Sequence, residues 1–492
     1  MLNDQTLGSA RDRPSLLPLV LLTTVALAVR LIGLGRQSLW FDESVSVFVA
    51  RLGWREGTEF LLADGVHPPL YYAVQKVSLL LGSSEWAARL PAAVFGALTV
   101  ALLYRWSARW VGPASAALAA TLLALSPLHV WYSREARMYS LLVVLALAAM
   151  WLYTRMLREP PSPASGAAFV AVHALAYLTH YFAALLFLIQ LAHLALHLRR
   201  HARELRRWAA FQALAFLPLA AWAAWVAQRN GGYFGIGWIP VPTWQDPWLT
   251  LINFTVGYTP PLHVGHVVTA VGILGLALRG LFSRWPDPSL RTLFALWALF
   301  PVAFGLVVSL SRPLYVDRFF LASLPPLLVL AAVGWARLPG WTRPASTIFA
   351  VLLTGWGLYR MDFASGQQKE QWREAGLTLA AATSEEIVIP RVLQIVVPLS
   401  IYYHGDAPVR ALEVNREVGS LEDLTLGSNG VWLVFWNAAA DAHTVAPRVP
   451  WDPSAEHNPE VIAWLGGTVR PVMAQVDLVG VTIVHFGPHL NP

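Results

Sequence analysis

Apolar runs of about 17–25 residues recur through the first three quarters of this 492-residue chain, each long enough to cross roughly 30 Å of hydrocarbon. No other feature limits the fold as much. In lipid every backbone N–H and C=O must find its partner inside the protein, so only helices and closed barrels span a membrane. The runs here are continuous rather than alternating, which argues against a many-strand barrel. The chain is 56% hydrophobic and 13% charged, where a soluble domain carries about 25% charged residues. The expected fold is a polytopic α-helical membrane protein. Spans are read near 15–34, 90–106, 113–130, 138–155, 166–180, 182–198, 208–227, 264–282, 292–311, 319–336 and 344–360, about eleven helices.

The formal charge of +6 is carried almost wholly by arginine, and the basic residues are scattered between hydrophobic runs. That placement speaks against nucleic acid and follows the positive-inside rule. With Arg11 and Arg13 at a cytoplasmic N-terminus, the cytoplasmic connections hold Arg105 and Arg109, Arg155 and Arg158, the run 197–207, Arg279, Arg284 and Arg291, and Arg337 and Arg343. The run 197–207 reads as an anchor on anionic lipid. The first apolar run ends in Leu-Gly-Arg-Gln rather than small residues, and so reads as a retained helix rather than a cleaved signal.

This orientation puts the 35–89 loop, the turns at 131–137 and 311–318, the segment 228–263 and the tail outside. Trp40, Trp54 and Trp86 suit helices lying in the interface. From about 361 the composition turns polar, with β-rich runs at 386–389, 409–414, 431–436 and 479–486 between helical stretches near 370–383, 392–403 and 458–465. The expected division is a transmembrane domain over 1–360 and a small extracytoplasmic α/β domain over 361–492. The chain has no cysteine, which excludes a disulfide framework and a thiolate metal site. The outer carboxylates leave room for a divalent cation, but nothing fixes a ligand geometry, so no cofactor is assigned.

The strongest polar candidates fall on the outer side. Asp42 and Glu43 follow the first span directly. Adjacent helical residues point about 100° apart, so one can face a cavity while the other binds a neighbour; an acidic helix start is the alternative. Asp64 to Tyr72 is a two-proline turn that could hold His67 toward a site, with Tyr71 beside it. Arg134 and Arg137 are three apart, and on one helical face they would form a phosphate clamp; snorkelling or an ion pair with Glu135 is the alternative. His180 ends the fifth span and Arg318 precedes the tenth. Carboxylates and arginines at a lipid–water boundary suit group transfer from a lipid phosphate, the acid taking the acceptor's proton and the arginines stabilising the departing phosphate.

At these motifs the chain resembles the GT-C membrane glycosyltransferases, most closely glycosyltransferase family 39, the protein O-mannosyltransferase-like group, and the related aminoarabinose transferases. The matching stretches are Trp40-Phe41-Asp42-Glu43, His67-Pro68-Pro69-Leu70-Tyr71-Tyr72, Glu85 with Arg89-Leu90-Pro91 before Phe95-Gly96, and Ser133-Arg134-Glu135-Ala136-Arg137-Met138-Tyr139. Thr179-His180-Tyr181, Tyr315 with Arg318, and a weak echo at Gln371-Trp372-Arg373-Glu374-Ala375 complete them. The resemblance implies a polyprenyl-phosphate-linked sugar donor, an inverting transfer to a lipid, glycan or protein acceptor, and residence in the plasma (inner) membrane. It implies Asp42 as catalytic base, with Glu43 supporting the acceptor or the site's hydrogen bonds. Arg134 and Arg137 carry over as phosphate and site-organising residues, and His67, Tyr71, Tyr139, His180 and Arg318 as substrate-binding ones. Arg318 is followed by Phe319 where the family pattern has Tyr, so no hydroxyl role carries over there. A protein acceptor in particular is not implied, because the tail does not read as the sugar-binding repeat of the eukaryotic enzymes. A transporter or flippase of a lipid-linked substrate is the alternative; it calls for functional polar groups near the bilayer midplane.

Overall fold

The computed structural model describes residues 16–231, 237, 239–258, 263–363, 369–412, 421–437, 450–452, 459–467 and 470–489. Arg11, Arg13 and parts of the 228–263 and 409–414 segments lie outside them.

All eleven apolar stretches are helical. By length and apolarity, six described helices can cross a membrane: Glu85–Val111, Tyr139–Met156, Leu198–Asn230, Val264–Leu281, Pro288–Ser309 and Asp317–Trp335. Pro113–Leu125 and Pro127–Ser133 make a seventh if the pair, bent by 59°, is one span. The helices Leu16–Leu31, Pro163–Thr179 and Tyr181–Leu196 are apolar but shorter. The protein is a multi-pass membrane protein.

The 59° bend has a cause in the sequence. Pro127 carries no N–H and disfavours a helical residue before it, so carbonyls near the end of Pro113–Leu125 are left without helical donors. Arg30, fully buried in Leu16–Leu31, supplies one: its guanidinium donates to the Ala124 carbonyl at 3.1 Å and contacts His129 Nδ1 at 2.7 Å. Ser126 caps the second half by accepting the His129 N–H at 3.4 Å.

The chain forms two compact units. One comprises Met1–Ile32, Trp54–Val74 and Arg89–Ala364; the other comprises Gly33–Gly53, Gln75–Ala88 and Ser365–Pro492. In the first, backbone approaches backbone where Val264–Leu281 packs on Leu324–Trp335. A Cβ on Gly280 would lie 1.9 Å from the Leu330 carbonyl oxygen, and one on Gly334 would lie 1.9 Å from that of Leu276. Small residues that allow such approach are the usual device of membrane helix pairs.

The second unit is built on a four-stranded sheet: β1 Glu386–Pro390, β2 Gly430–Trp436, β3 Val472–Leu478 and β4 Val481–Phe486, in the order β1-β2-β4-β3. β1 and β2 are parallel, with Ile387 opposite Val431; β2 and β4, and β3 and β4, are antiparallel. The run 431–436 is apolar without alternation because β2 is buried on both faces. Trp432 and Val434 pack with Trp372, Leu379 and Leu399, while Val431, Leu433 and Phe435 pack with Leu421, Val461 and Trp464. Helices therefore cover both sides, giving a small α/β layer structure.

One sequence expectation for this unit shifts. The run 479–486 is a turn at Gly480 (φ 73°) followed by a strand, and its partner β3 did not stand out because its N-terminal half is exposed and mixed in polarity. Among the described residues of 409–414, Val409 forms a bridge to Val388, and the Arg410 and Leu412 N–H groups donate to the Val388 and Pro390 carbonyls at 3.0 and 3.3 Å.

Candidate active site

The acidic pair lies in the second unit. Helix Phe41–Arg51 starts one residue before Asp42, so both carboxylates sit in its first turn, where the helix dipole favours negative charge. Their environments differ. Glu43 is fully buried; its Oε2 accepts the Trp40 N–H at 3.4 Å and pairs with Lys369 Nζ at 3.2 Å. A buried carboxylate needs such a partner. Asp42 is half-buried, one position earlier on the helix.

Next to Lys369 stands Glu370, also buried. Its Oε2 accepts the Phe41 N–H at 2.9 Å and the Trp372 indole N–H at 2.6 Å, and its Oε1 accepts the Trp436 indole N–H at 2.8 Å. Burial pushes its carboxyl up to about 7, the three donors hold it down, and the charge of Asp42 adds to the rise. Further along, Glu85 accepts from Arg373 Nε at 2.9 Å and from the Tyr402 hydroxyl at 3.0 Å, while the Tyr402 oxygen accepts the Leu39 N–H at 2.8 Å.

The remaining candidates lie in the first unit. Ser133 ends one helix and Tyr139 begins the next, so Arg134 and Arg137 sit on an irregular link between them. The two arginines therefore do not share a helical face. Arg134, half-buried, donates to the Ile32 carbonyl at 2.6 Å. Arg137 is buried, and its guanidinium meets His67 Nε2 at 3.3 Å. A guanidinium only donates, so Nε2 of His67 is the acceptor and its proton sits on Nδ1. Burial holds His67 well below the usual imidazole range, and Arg137, His180 and Arg318 push the same way.

His180 stands beside this pair, its ring 5.7 Å from that of His67, 6.0 Å from Tyr139 and 5.2 Å from Phe319. Its Nδ1 accepts the Phe182 N–H at 3.1 Å, which leaves the ring proton on Nε2. That Nε2 is buried without a partner among the described residues, an arrangement that calls for a ligand or water. Arg318 is set by its neighbour: fully buried Asp317 accepts the Tyr258 hydroxyl and the Asn253 amide, each at 2.8 Å, and the Arg318 N–H at 2.6 Å. Tyr132 completes that network through the Tyr258 hydroxyl at 2.6 Å. Tyr71 is fully buried.

The first unit thus brings His67, Arg137, Tyr139, His180 and Arg318 into one basic, aromatic cluster, with Arg134 turned to a backbone carbonyl. Sequence reasoning did not find Lys369 and Glu370, nor the group Asp317, Tyr258 and Asn253. The dipeptide Lys369-Glu370 adjoins the echo at 371–375, which was the one signal near it. Among the described residues no group of three or more His, Asp or Glu side chains is placed to hold a metal ion.

Residues 66–225 match the family described as dolichyl-phosphate-mannose-protein mannosyltransferase, a stretch that contains His67, Tyr71, Arg134, Arg137, Tyr139 and His180. A 93-residue stretch is 32% identical to the Bacillus subtilis (strain 168) protein described as "Putative mannosyltransferase YkcB"; it covers 19% of this chain and only 13% of that relative's length. Among solved structures, ArnT from Cupriavidus metallidurans, bound to undecaprenyl phosphate, is similar with a TM-score of 0.58 at 16% identity, over 95% of this chain and 97% of that one. The Archaeoglobus fulgidus oligosaccharyltransferase AglB, in complex with an inhibitory peptide and a dolichol-phosphate, has a TM-score of 0.53 at 12% identity, over 85% of this chain and 69% of that one. The fold is of the ArnT type, and the stretch 66–225 is similar to the dolichyl-phosphate-mannose-protein mannosyltransferase family.

Proposed function

We propose that the protein moves a sugar from a polyprenyl-phosphate-linked donor to an acceptor hydroxyl at the outer face of the plasma membrane, with inversion. Asp42 accepts the hydroxyl proton as the acceptor oxygen attacks the anomeric carbon; the C–O bond to phosphate breaks, and polyprenyl phosphate leaves with the electron pair. Arg137, Arg318 and the Nε2–H of His180 bind the departing phosphate, whose charge grows as that bond breaks. Tyr139 and Tyr71 line the donor side, His67 orients Arg137, and Glu43 holds the start of the helix that carries Asp42. Arg134 organises the link next to Arg137.

The observation that carries this reading is the cluster of two cations and an unsatisfied buried imidazole N–H, most of it inside the stretch matched by the mannosyltransferase family. The lipid phosphates named for the two similar structures support the same donor class. The arginine-rich connections support a cytoplasmic N-terminus, with a domain over 361–492 on the other side of the membrane and the transmembrane domain over 1–360.

Mass spectrometry of products, after membranes containing the protein are incubated with a panel of polyprenyl-phosphate sugars, tests the proposal. A sugar-bearing product that depends on the protein is expected. Movement of a lipid-linked substrate across the bilayer with no transfer from any donor would instead establish the transporter reading. One observation weighs against that reading. Gln190, a buried polar residue between the helices, has its polar atoms taken up by protein partners: its amide N–H meets His173 Nε2 at 2.9 Å, and its carbonyl accepts from Trp208 and Gln212, each at 2.8 Å.

A further inference from the structure

We propose that Lys369 and Glu370 are positioning residues that fix the backbone and charge around Asp42. The inference rests on the reading of Asp42 as the base. A helix start leaves its first N–H groups without intrahelical partners, so the segment leading into Asp42 has freedom that something must remove. Here a dipeptide more than 300 residues away in sequence removes it. The Lys369 N–H donates to Gln37 Oε1 at 3.0 Å, the Ser38 hydroxyl donates to the Glu370 carbonyl at 2.6 Å, and the Phe41 N–H donates to Glu370 Oε2 at 2.9 Å. The Lys369 ammonium pairs with Glu43, which itself accepts the Trp40 N–H. Three positions between 37 and 41, and the residue after Asp42, are thus tied to 369–370.

The clamp is held in turn. Trp372 and Trp436 donate to the Glu370 carboxylate, and the Trp436 ring packs on Phe41 with centroids 4.7 Å apart. Trp436 ends β2, so the sheet sets the place of the carboxylate that receives the first helical amide. Neither Lys369 nor Glu370 is assigned contact with substrate; both act through the segment that carries Asp42. This gives the small α/β domain a task in the reaction besides any recognition of the acceptor.

The test compares Lys369→Met, Lys369→Arg, Glu370→Ala and Glu370→Gln with the parent protein in a transfer assay that titrates the donor. A base displaced by about 1 Å costs on the order of 100-fold in rate. Lys369→Met and Glu370→Ala are therefore expected to lower kcat by roughly 30- to 100-fold while KM for the donor stays within about twofold. Lys369→Arg keeps the charge and should recover most of the rate. Amide hydrogen exchange over 39–44 is measured alongside: Glu370→Gln should exchange faster there while the helices of the first unit exchange as before. Unchanged kcat in Lys369→Met and Glu370→Ala would overturn the proposal, and so would unchanged exchange over 39–44. A loss that tracks a lowered melting temperature equally in the Met and Arg variants would overturn it as well. An active Asp42→Asn protein would refute the base reading itself, while the exchange result would still report whether the clamp exists.

Discussion

His67 offers the sharpest test of the basic cluster, because its protonation can be followed through stability alone. In the fold it accepts from Arg137 and lies half-buried near His180 and Arg318, so taking a proton would put a third cation among two guanidiniums. Unfolded, the same imidazole titrates near 6.5. Since the folded group is held well below that, the unfolded chain binds the extra proton first, and stability is lost as the pH falls below about 6.5. For a folded group still neutral at pH 5.5, the loss between pH 7.5 and 5.5 is about 1.4 kcal/mol, or a fall in melting temperature of roughly 1 °C for a chain of this size. Glu370 works in the opposite direction. Its folded carboxyl at about 7 lies above its unfolded value near 4.5, so its contribution weakens as the pH rises through that window. The pH dependence of the parent protein alone therefore mixes the two, and the comparison must be made against His67→Gln. The glutamine carbonyl can still accept from Arg137 and carries no titration. Thermal unfolding of both proteins in detergent micelles at pH 7.5 and 5.5 should show the parent losing about 1.4 kcal/mol more than the variant. Equal losses would refute the placement of His67 as a neutral acceptor held among cations.

Three further outcomes follow from the packing. Asp317→Ala strands the Tyr258 hydroxyl and the Asn253 amide in a buried site, and should cost about 2–4 kcal/mol in thermal unfolding; Asp317→Asn, which retains an acceptor oxygen, should cost about 1. Gly280→Val drives a side chain into the Leu330 carbonyl, backbone that cannot swing aside, and should cost about 3 kcal/mol or more, read as loss of monodisperse protein on size exclusion. His180→Phe keeps the ring and its aromatic contacts but removes the Nε2 donor and the Nδ1 acceptor of the Phe182 N–H; it should raise KM for a polyprenyl-phosphate donor by about tenfold, as for one lost hydrogen bond to a charged group, and cost about 1 kcal/mol of stability through the lost Phe182 bond.

The helices were legible because a span is a local property: continuous apolar runs with arginines at their ends mark them without reference to the rest of the chain. The bend at Pro127 and the arginine that caps it were not, since Arg30 is separated from Ala124 by 94 positions and looks in sequence like any snorkelling residue at a span end. The α/β character of the tail was visible in Glu386–Pro390 and Gly430–Trp436, whose β-branched and aromatic runs are buried on both faces. The exposed edge β3 carries no such signature. At the site, residue types told more than spacing. Arg134 and Arg137 at three apart suggested one helical face, yet the chain leaves the helix at Ser133 and turns only Arg137 inward. Lys369 and Glu370 had no motif to announce them; their role depends on a fold that joins Gly33–Gly53 to the C-terminal unit.

The most direct measurement is the single-turnover rate of sugar transfer by Asp42→Asn, with a polyprenyl-phosphate sugar donor identified for the parent protein. Asparagine matches aspartate in shape but cannot take the acceptor's proton. The account predicts a rate lower by about 10³-fold, with donor binding and melting temperature unchanged. Transfer at the parent's rate would contradict it.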